Sequence, residues 1–578
     1  MEAFAPASPA GTAPALAPFA RAVSRGAAPE GVPVVRDLTL GQALDAAVAA
    51  WPDQDAVVYA DRDYRLTWRQ FGEQVDLLAK GLMALGVGKG EKVGVWATNV
   101  PHWVSLQFAT AKIGAILVTV NTNYRSSEID YLLRQSELEN LFIIDGVRDV
   151  DYVATLFELV PELKAQPRGQ LRAERFPSLR RVFFLGPQKH RGMFSVPELM
   201  SLAATVDDGA YRARQAELSC HDIINMQYTS GTTGFPKGVQ LTHRNILNNG
   251  WWIGRNQNLG STDRVCIPVP LFHCFGCVLG VLACLTHGAA MVILEKFDPV
   301  MVMLSVERER CTALYGVPTM FIAILSHPLF PRFDFRTLRT GIMAGSPCPE
   351  KTMNECVERM HMRELTICYG LTESSPVVTQ TTFDEPSLAA KCGTVGKAMP
   401  GVELAVISPE TGAILGVGEQ GELCSRGYTT MAGYYRMPEA TAQCVDANGW
   451  LHSGDLGTMD AQGYFRVTGR LKDMIIRGGE NVYPKEVEEF IHHIPGVSDV
   501  QVVGVPSTRY GEQVGAFIVL EKGADLAEED IRDACRGRVA WYKVPQFIAF
   551  VDAYPMTASG KIQKYRLRED ASRRWPDA

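Results

Sequence analysis

The densest chemistry in the chain lies in one short run, Tyr228-Thr229-Ser230-Gly231-Thr232-Thr233-Gly234-Phe235-Pro236-Lys237-Gly238. Four Ser or Thr hydroxyls, three glycines and a lysine share it. Glycines permit tight turns whose N–H groups converge on an anion, and the hydroxyls and lysine add donors and positive charge. Phosphate binding is the chemistry this composition suits. It is not a Walker A loop, which needs Gly-Lys-Ser/Thr, because Pro236 precedes Lys237 and Gly238 follows it. A flexible surface loop is the competing reading, and so dense a set of phosphate-binding residue types weighs against it.

A second candidate is His273, within Pro270-Leu271-Phe272-His273-Cys274-Phe275-Gly276 and close to Cys277. Two thiols and an imidazole suggest a metal, but the surroundings are apolar and no second cysteine pair follows. A core histidine with satisfied nitrogens is the rival to a functional one. No Asp, Glu, Lys or Arg occurs between Val265 and Leu294. An apolar pocket there fits an aliphatic tail, each buried CH₂ being worth about 0.8 kcal/mol. Ordinary core reads the same way.

The elements that must position these residues alternate. Thr39 with Gln42, and Thr67 with Gln70, have capping-box spacing ahead of amphipathic helices. Apolar segments at Val93–Ala97, Ile116–Val120 and Leu141–Ile144 read as strands, with a helix over Ser127–Leu133. The rhythm continues through Ala289–Leu294, Thr312–Tyr315 and Leu338–Ala344, which predicts an α/β fold with buried parallel sheets. Residues 277–285 read as a buried helix followed by a turn, too interrupted by Thr286, His287 and Gly288 for a transmembrane span. After about residue 393 the pattern changes. Gly421–Arg426 and Gly463–Gly469 suggest a small β subdomain. Beyond Arg470 a helix (Pro484–His492), strands (Val500–Val505, Gln513–Leu520) and a helix from Glu528 predict a smaller α+β unit.

At 578 residues, with 46% hydrophobic and 21% charged residues, the chain is an ordinary multidomain globular protein, neither disordered nor collagenous. A net charge of −7 gives no support for nucleic-acid or membrane-surface binding. The thirteen cysteines are scattered, which fits reduced thiols in a cytoplasmic setting. Residues 1–34, rich in Ala, Pro and Gly, read as a disordered tail and make a poor signal peptide. Organellar import through this segment is the weaker alternative. A homodimer stays open.

Beyond the phosphate loop, four segments share one family's order: Tyr369-Gly370-Leu371-Thr372-Glu373, Ser453-Gly454-Asp455-Leu456-Gly457, Gly469-Arg470-Leu471-Lys472-Asp473 and Ser559-Gly560-Lys561-Ile562. With the loop they resemble the signatures of the adenylate-forming (AMP-binding) superfamily. The text from Asp473 to Glu489, including Arg477-Gly478-Gly479-Glu480-Asn481, looks most like medium-chain and fatty acyl-CoA synthetases. The resemblance implies an ATP- and acyl-binding domain over 35–470, a hinge at 471–472 and a mobile lid over 473–578.

It also implies roles. Thr229, Ser230, Gly231, Thr232, Thr233, Gly234 and Lys237 would hold the ATP phosphates, with Thr232 and Lys237 taking part in catalysis. Glu373 would hold Mg²⁺, and Thr372 would sit beside the nucleotide phosphate. Gly345, Ser346 and Pro347 would flank adenine, and Tyr369, beside Gly370, would stack on it. Asp455 and Arg470 would bind ribose. His273 would lie near the carboxylate and the CoA tunnel. Lys561 would offset charge during adenylation. Lys472 falls at the hinge, and Gly478-Gly479 would meet the pantetheine of CoA. Some long-chain enzymes of the family carry a tryptophan gate near position 277, where this chain has Cys277, which argues against that style of gating.

The implied reaction joins a carboxylic acid to CoA at the expense of ATP. Rivals are an enzyme for an aromatic or other small carboxylate, one with a non-CoA acceptor, a luciferase-like oxidising enzyme, and an inactive scaffold. The intact Thr232, Lys237, Glu373, Asp455 and Lys561 argue against the last.

Overall fold

The structure, a computed structural model, describes residues 21–229, 236–346, 348–477, 480–557 and 562–576. The chain forms two compact units. Among the described residues, the first comprises mainly 25–404 and 425–451, and the second 21–24, 405–424 and 452–576.

Two large sheets organise the first unit. Among the described residues, one has eight strands in the order Met193–Ser195, Arg181–Phe184, Asn140–Ile143, Lys92–Trp96, Ile116–Thr119, Ile223–Thr229, Lys237–Thr242 and Gly433–Tyr434. Pairing is parallel as far as Ile223–Thr229 and antiparallel beyond it. The other sheet has a parallel centre, Glu364–Gly370, Thr340–Met343, Ala313–Gly316, Arg264–Ile267, Ala290–Ile293 and Asp55–Tyr59, with antiparallel strands at both margins. The central strands are buried on both faces, which explains their continuous apolar runs.

Local signals act as their residue types require. Thr39 and Thr67 each accept the N–H of the glutamine three residues on, and each glutamine returns the bond to the cap's own N–H, opening helices Leu40–Ala50 and Trp68–Ala84. The helix over 277–285 is a more irregular object. A π-helical turn, Phe275–Gly280, leads into helix Val281–His287, then Gly288 at φ 72° and strand Ala290–Ile293. The chain is tight at both ends of this passage. A Cβ on Gly276 would lie 2.4 Å from the Pro270 carbonyl oxygen, and one on Gly288 would lie 2.4 Å from the Trp51 ring. Among the described residues no helix is long and apolar enough to cross a membrane.

Composition places a disordered tail over residues 1–34, and for residues 21–34 the structure differs. Val23–Arg25 is a strand, Gly26 exchanges backbone bonds with Val402 and Gly401, and the Val34 carbonyl accepts from the Trp252 indole. A low-charge segment with valines can complete a sheet edge even when Ala and Pro dominate its composition. Residues 1–20 lie outside the described region.

The second unit contains a small antiparallel sheet that includes Gly421–Gly427, Leu451–Met459 and Phe465–Arg470. Its C-terminal part is α+β. Hairpin strands Ile475–Arg477 and Glu480–Val482, with Gly511–Leu520, Val497–Ser507 and Phe547–Phe550, form a sheet backed by helices Pro484–His492 and Glu528–Cys535. Val487, Ile491, Val500, Val502 and Ile531 are among the buried side chains of its core. None of the thirteen cysteines forms a disulfide.

Candidate active site

The phosphate loop joins two antiparallel strands. Thr229 and Lys237 are direct partners at the mouth of the hairpin, and Tyr228 faces Gly238. Thr229 ends a strand that runs parallel to Ile116–Thr119, so the loop leaves the sheet where pairing changes from parallel to antiparallel. The Tyr228 hydroxyl donates to Gln135 Oε1, and the Tyr131 hydroxyl donates to the Pro236 carbonyl at 3.1 Å, fixing both stems. Ser230, Gly231, Thr232, Thr233 and Gly234 lie outside the described residues.

The second sheet delivers the other candidates at the C-terminal ends of its parallel strands, where α/β sheets bind ligands. Gly345 and Ser346 follow Thr340–Met343, and Tyr369 and Gly370 end the adjacent Glu364–Gly370. Pro347 lies outside the described residues. Gly345 has φ 94°, a left-handed conformation open to glycine at little cost. Gly370 has no alternative: a Cβ there would lie 1.7 Å from the Pro376 carbonyl oxygen.

Glu373 links the two sheets. It sits in the 3₁₀ turn Thr372–Ser374, and its backbone carbonyl accepts from Met431 N–H at 2.9 Å. Its Oε1 accepts from the Thr229 hydroxyl at 3.5 Å and from the Tyr434 hydroxyl at 2.8 Å. Lys237 Nζ lies 4.8 Å from the centre of the Tyr434 ring. Burial, reinforced by the Glu373 charge, pushes the Tyr434 phenol above its ordinary range, so it stays a protonated donor. Both stems of the phosphate loop, a carboxylate and a phenol therefore meet at one place.

His273 approaches the same turn. Its Nδ1 accepts from Phe275 N–H at 3.1 Å and lies 3.4 Å from Cys274 Sγ, which lies 3.8 Å from the Thr372 hydroxyl. Cys277 is fully buried, its sulfur accepting from Gln227 Nε2 at 3.5 Å. Burial pushes its thiol well up, which makes it packing rather than a nucleophile.

In the second unit Asp455 and Arg470 are direct partners across antiparallel strands, and Arg470 Nε donates to Asp455 Oδ1 at 2.8 Å. Asp455 is buried and Arg470 exposed. Lys472 follows in the 3₁₀ turn Leu471–Asp473, its ammonium pulled below the ordinary range by desolvation and by the nearby Arg470. Arg568 pairs with Asp473 and donates to the Lys472 carbonyl at 3.4 Å. Gly478, Gly479 and Lys561 lie outside the described residues. The segment carrying Lys561 is flanked by a Met556–Ile562 bridge.

Two residues that sequence reasoning passed over belong with these. Tyr434, in the short strand Gly433–Tyr434, has no charge or motif to mark it. Glu422 is a buried carboxylate within Gly421–Gly427. It accepts the Gly454 N–H at 2.8 Å and lies 2.7 Å from His452 Nδ1, and so braces the turn that carries Asp455.

The sequence matches the family described as AMP-binding enzyme over residues 44–435. The chain belongs to the AMP-binding enzyme family. Residues 486–561 match the AMP-binding enzyme C-terminal domain. YngI of Bacillus subtilis (strain 168) is 52% identical over 531 residues, covering 92% of this chain and 96% of YngI. The mitochondrial medium-chain acyl-CoA ligase ACSF2 of Rattus norvegicus is 41% identical, covering 92% of this chain and 87% of its own length. ATP-bound MatB from Rhodopseudomonas palustris superposes with a TM-score of 0.79 at 28% identity, covering 92% of this chain and 99% of MatB. As a member of the AMP-binding enzyme family the protein is an ATP-dependent, adenylate-forming acid–thiol ligase, and its fold is the family's: a large α/β domain with a smaller α+β C-terminal part.

Proposed function

We propose that this AMP-binding enzyme is an acyl-CoA synthetase that activates a medium-chain or longer fatty acid. One observation carries the choice of acid: the stretch from Leu271 to Leu294 holds no Asp, Glu, Lys or Arg and is buried except around His273 and His287. The likeness to a medium-chain acyl-CoA ligase supports the same choice.

In the first half-reaction a carboxylate oxygen of the acid attacks the α-phosphorus of ATP. The bond to the bridging oxygen breaks and pyrophosphate leaves. Two anions must meet, so the site has to supply positive charge and fixed donors. Lys237 and the hydroxyls and N–H groups of the loop from Thr229 serve the phosphates. Gly345, Ser346, Pro347 and Tyr369 hold the base, Asp455 and Arg470 the ribose, and Lys561 the charge on carboxylate and α-phosphate. The Glu373 carboxylate, with the Thr229 hydroxyl beside it, offers oxygen donors of the kind that fit Mg²⁺. When bound, the ion would neutralise charge on the phosphates.

In the second half-reaction the CoA sulfur attacks the acyl carbonyl carbon, the bond to the AMP oxygen breaks, and AMP leaves. His273 serves near the carboxylate and the CoA tunnel. Residues 473–578 act as a lid turning about 471–472, which brings Gly478-Gly479 to the pantetheine in place of Lys561. The protein works in the cytoplasm, on small molecules alone.

The test is a panel of acids from acetate to palmitate, with benzoate, assayed with ATP, Mg²⁺ and CoA. Turnover should peak among medium or longer saturated acids, with AMP and pyrophosphate as products. Best turnover on acetate or benzoate overturns the choice of acid, and ADP as product overturns the reaction.

A further inference from the structure

Tyr434 joins the carboxylate and the lysine on which the phosphate chemistry depends. Its hydroxyl donates to Glu373 Oε1 at 2.8 Å, and its ring lies 4.8 Å from Lys237 Nζ. Its backbone is held as well: Tyr434 is the partner of Val239 in the sheet, its N–H donates to Thr441 Oγ1 at 2.9 Å, and the Tyr435 N–H donates to the Gly238 carbonyl at 2.8 Å. The residue is only 7% exposed, so both contacts are made by a buried ring.

We propose that Tyr434 is a positioning residue with two separable roles, orienting the Glu373 carboxylate toward the metal and the Lys237 ammonium toward the phosphates. A phenol on Oε1 fixes the plane of the carboxylate and leaves Oε2 for the ion. Partners of this kind, one bond removed from the metal, are worth about 10- to 100-fold in metal affinity. The ring face beneath Lys237 attracts the ammonium electrostatically, an interaction worth about 0.5–1 kcal/mol where partly exposed. The proposal rests on the assignment of Glu373 to Mg²⁺.

The experiment is calorimetric ATP binding to the full-length protein, without metal in EDTA and then with Mg²⁺, for wild type, Tyr434→Phe, Tyr434→Leu and Glu373→Gln. Tyr434→Phe keeps the ring and loses the hydroxyl. It should bind ATP like wild type in EDTA and lose about tenfold of the Mg²⁺-dependent gain, with the KM for the acid unchanged. Tyr434→Leu should lose that gain and also bind ATP about two- to fivefold more weakly in EDTA. A wild-type Mg²⁺ gain in Tyr434→Phe overturns the orienting role when Glu373→Gln has lost its gain. A wild-type gain in both Tyr434→Phe and Glu373→Gln overturns the assignment of Glu373, and the orienting role toward the metal with it. Wild-type ATP affinity in EDTA for a folded Tyr434→Leu overturns the Lys237 role, and because Tyr434→Phe preserves packing, the Glu373 role is decided by the phenylalanine variant alone.

Discussion

Arg470 Nε donates to Asp455 Oδ1 at 2.8 Å between residues that are direct partners in an antiparallel pair. The bond fixes the orientation of the carboxylate on which the proposed ribose contact depends. Asp455→Ala should raise the KM for ATP about 10- to 100-fold, the value of a charge-assisted bond or two, with the preference among acids unchanged. Asp455→Asn should lose less. Steady-state kinetics at varied ATP check this, and wild-type ATP kinetics in Asp455→Ala would reject the ribose role.

Glu422 acts on the same turn from the neighbouring strand. Glu422→Ala leaves the Gly454 N–H and the His452 ring without their acceptor, so the turn loosens and the KM for ATP should rise several-fold, about 1 kcal/mol or more. Glu422→Gln retains an acceptor for Gly454 and should recover most of the loss. Equal defects in both variants would mean that charge, not the bond to Gly454, is what matters.

The lid's two tasks should separate by half-reaction. Lys561→Ala should slow acyl-adenylate formation about 10²-fold or more while making thioester from preformed acyl-adenylate at near the wild-type rate. Lys472→Pro fixes φ and removes a backbone donor, so it should hinder thioester formation and spare adenylation. Single-turnover measurement of each step decides, with circular dichroism to confirm folding. Equal losses in both steps for both variants would refute the division.

Acid stability should report on His243. Its Nδ1 accepts the Leu40 N–H at 3.0 Å, and burial pushes its pKa down to about 3 from the ordinary 6.5. The folded state therefore keeps this imidazole neutral, while the unfolded chain takes up a proton below about pH 6.5. Stability is full above that pH and falls as pH drops toward 3. Urea denaturation across this window should show a shallower decline in His243→Gln than in wild type. Parallel curves would reject the assignment.

Much of this was legible because it is local. The capping boxes at Thr39 and Thr67 and the helix Pro484–His492 are set by residues within a turn or two of each other, and the parallel strands by their own apolar runs. The run after Tyr228 stands out by its composition, yet the hairpin that carries it does not, since its register depends on the facing strand. Tyr434 and Glu422 escape for the same reason. A tyrosine and a glutamate are unremarkable until Glu373 and Gly454 arrive beside them from distant parts of the chain. Residues 21–34 escaped because their composition records no partner, and their backbone bonds go to Gly401 and Val402.

The pairing of Val239 with Tyr434 places a constraint on the order of synthesis. The strand Lys237–Thr242 leaves the ribosome with its outer edge bare, and the residues that cover it follow only after about 200 more have been added. At about 5–20 residues per second that is about 10–40 s of translation. Through that interval the nascent chain carries an unpaired strand edge, the feature most prone to pairing with the wrong partner. Ribosome-associated chaperones thus have their strongest reason to attend this protein while residues 243–434 are being made.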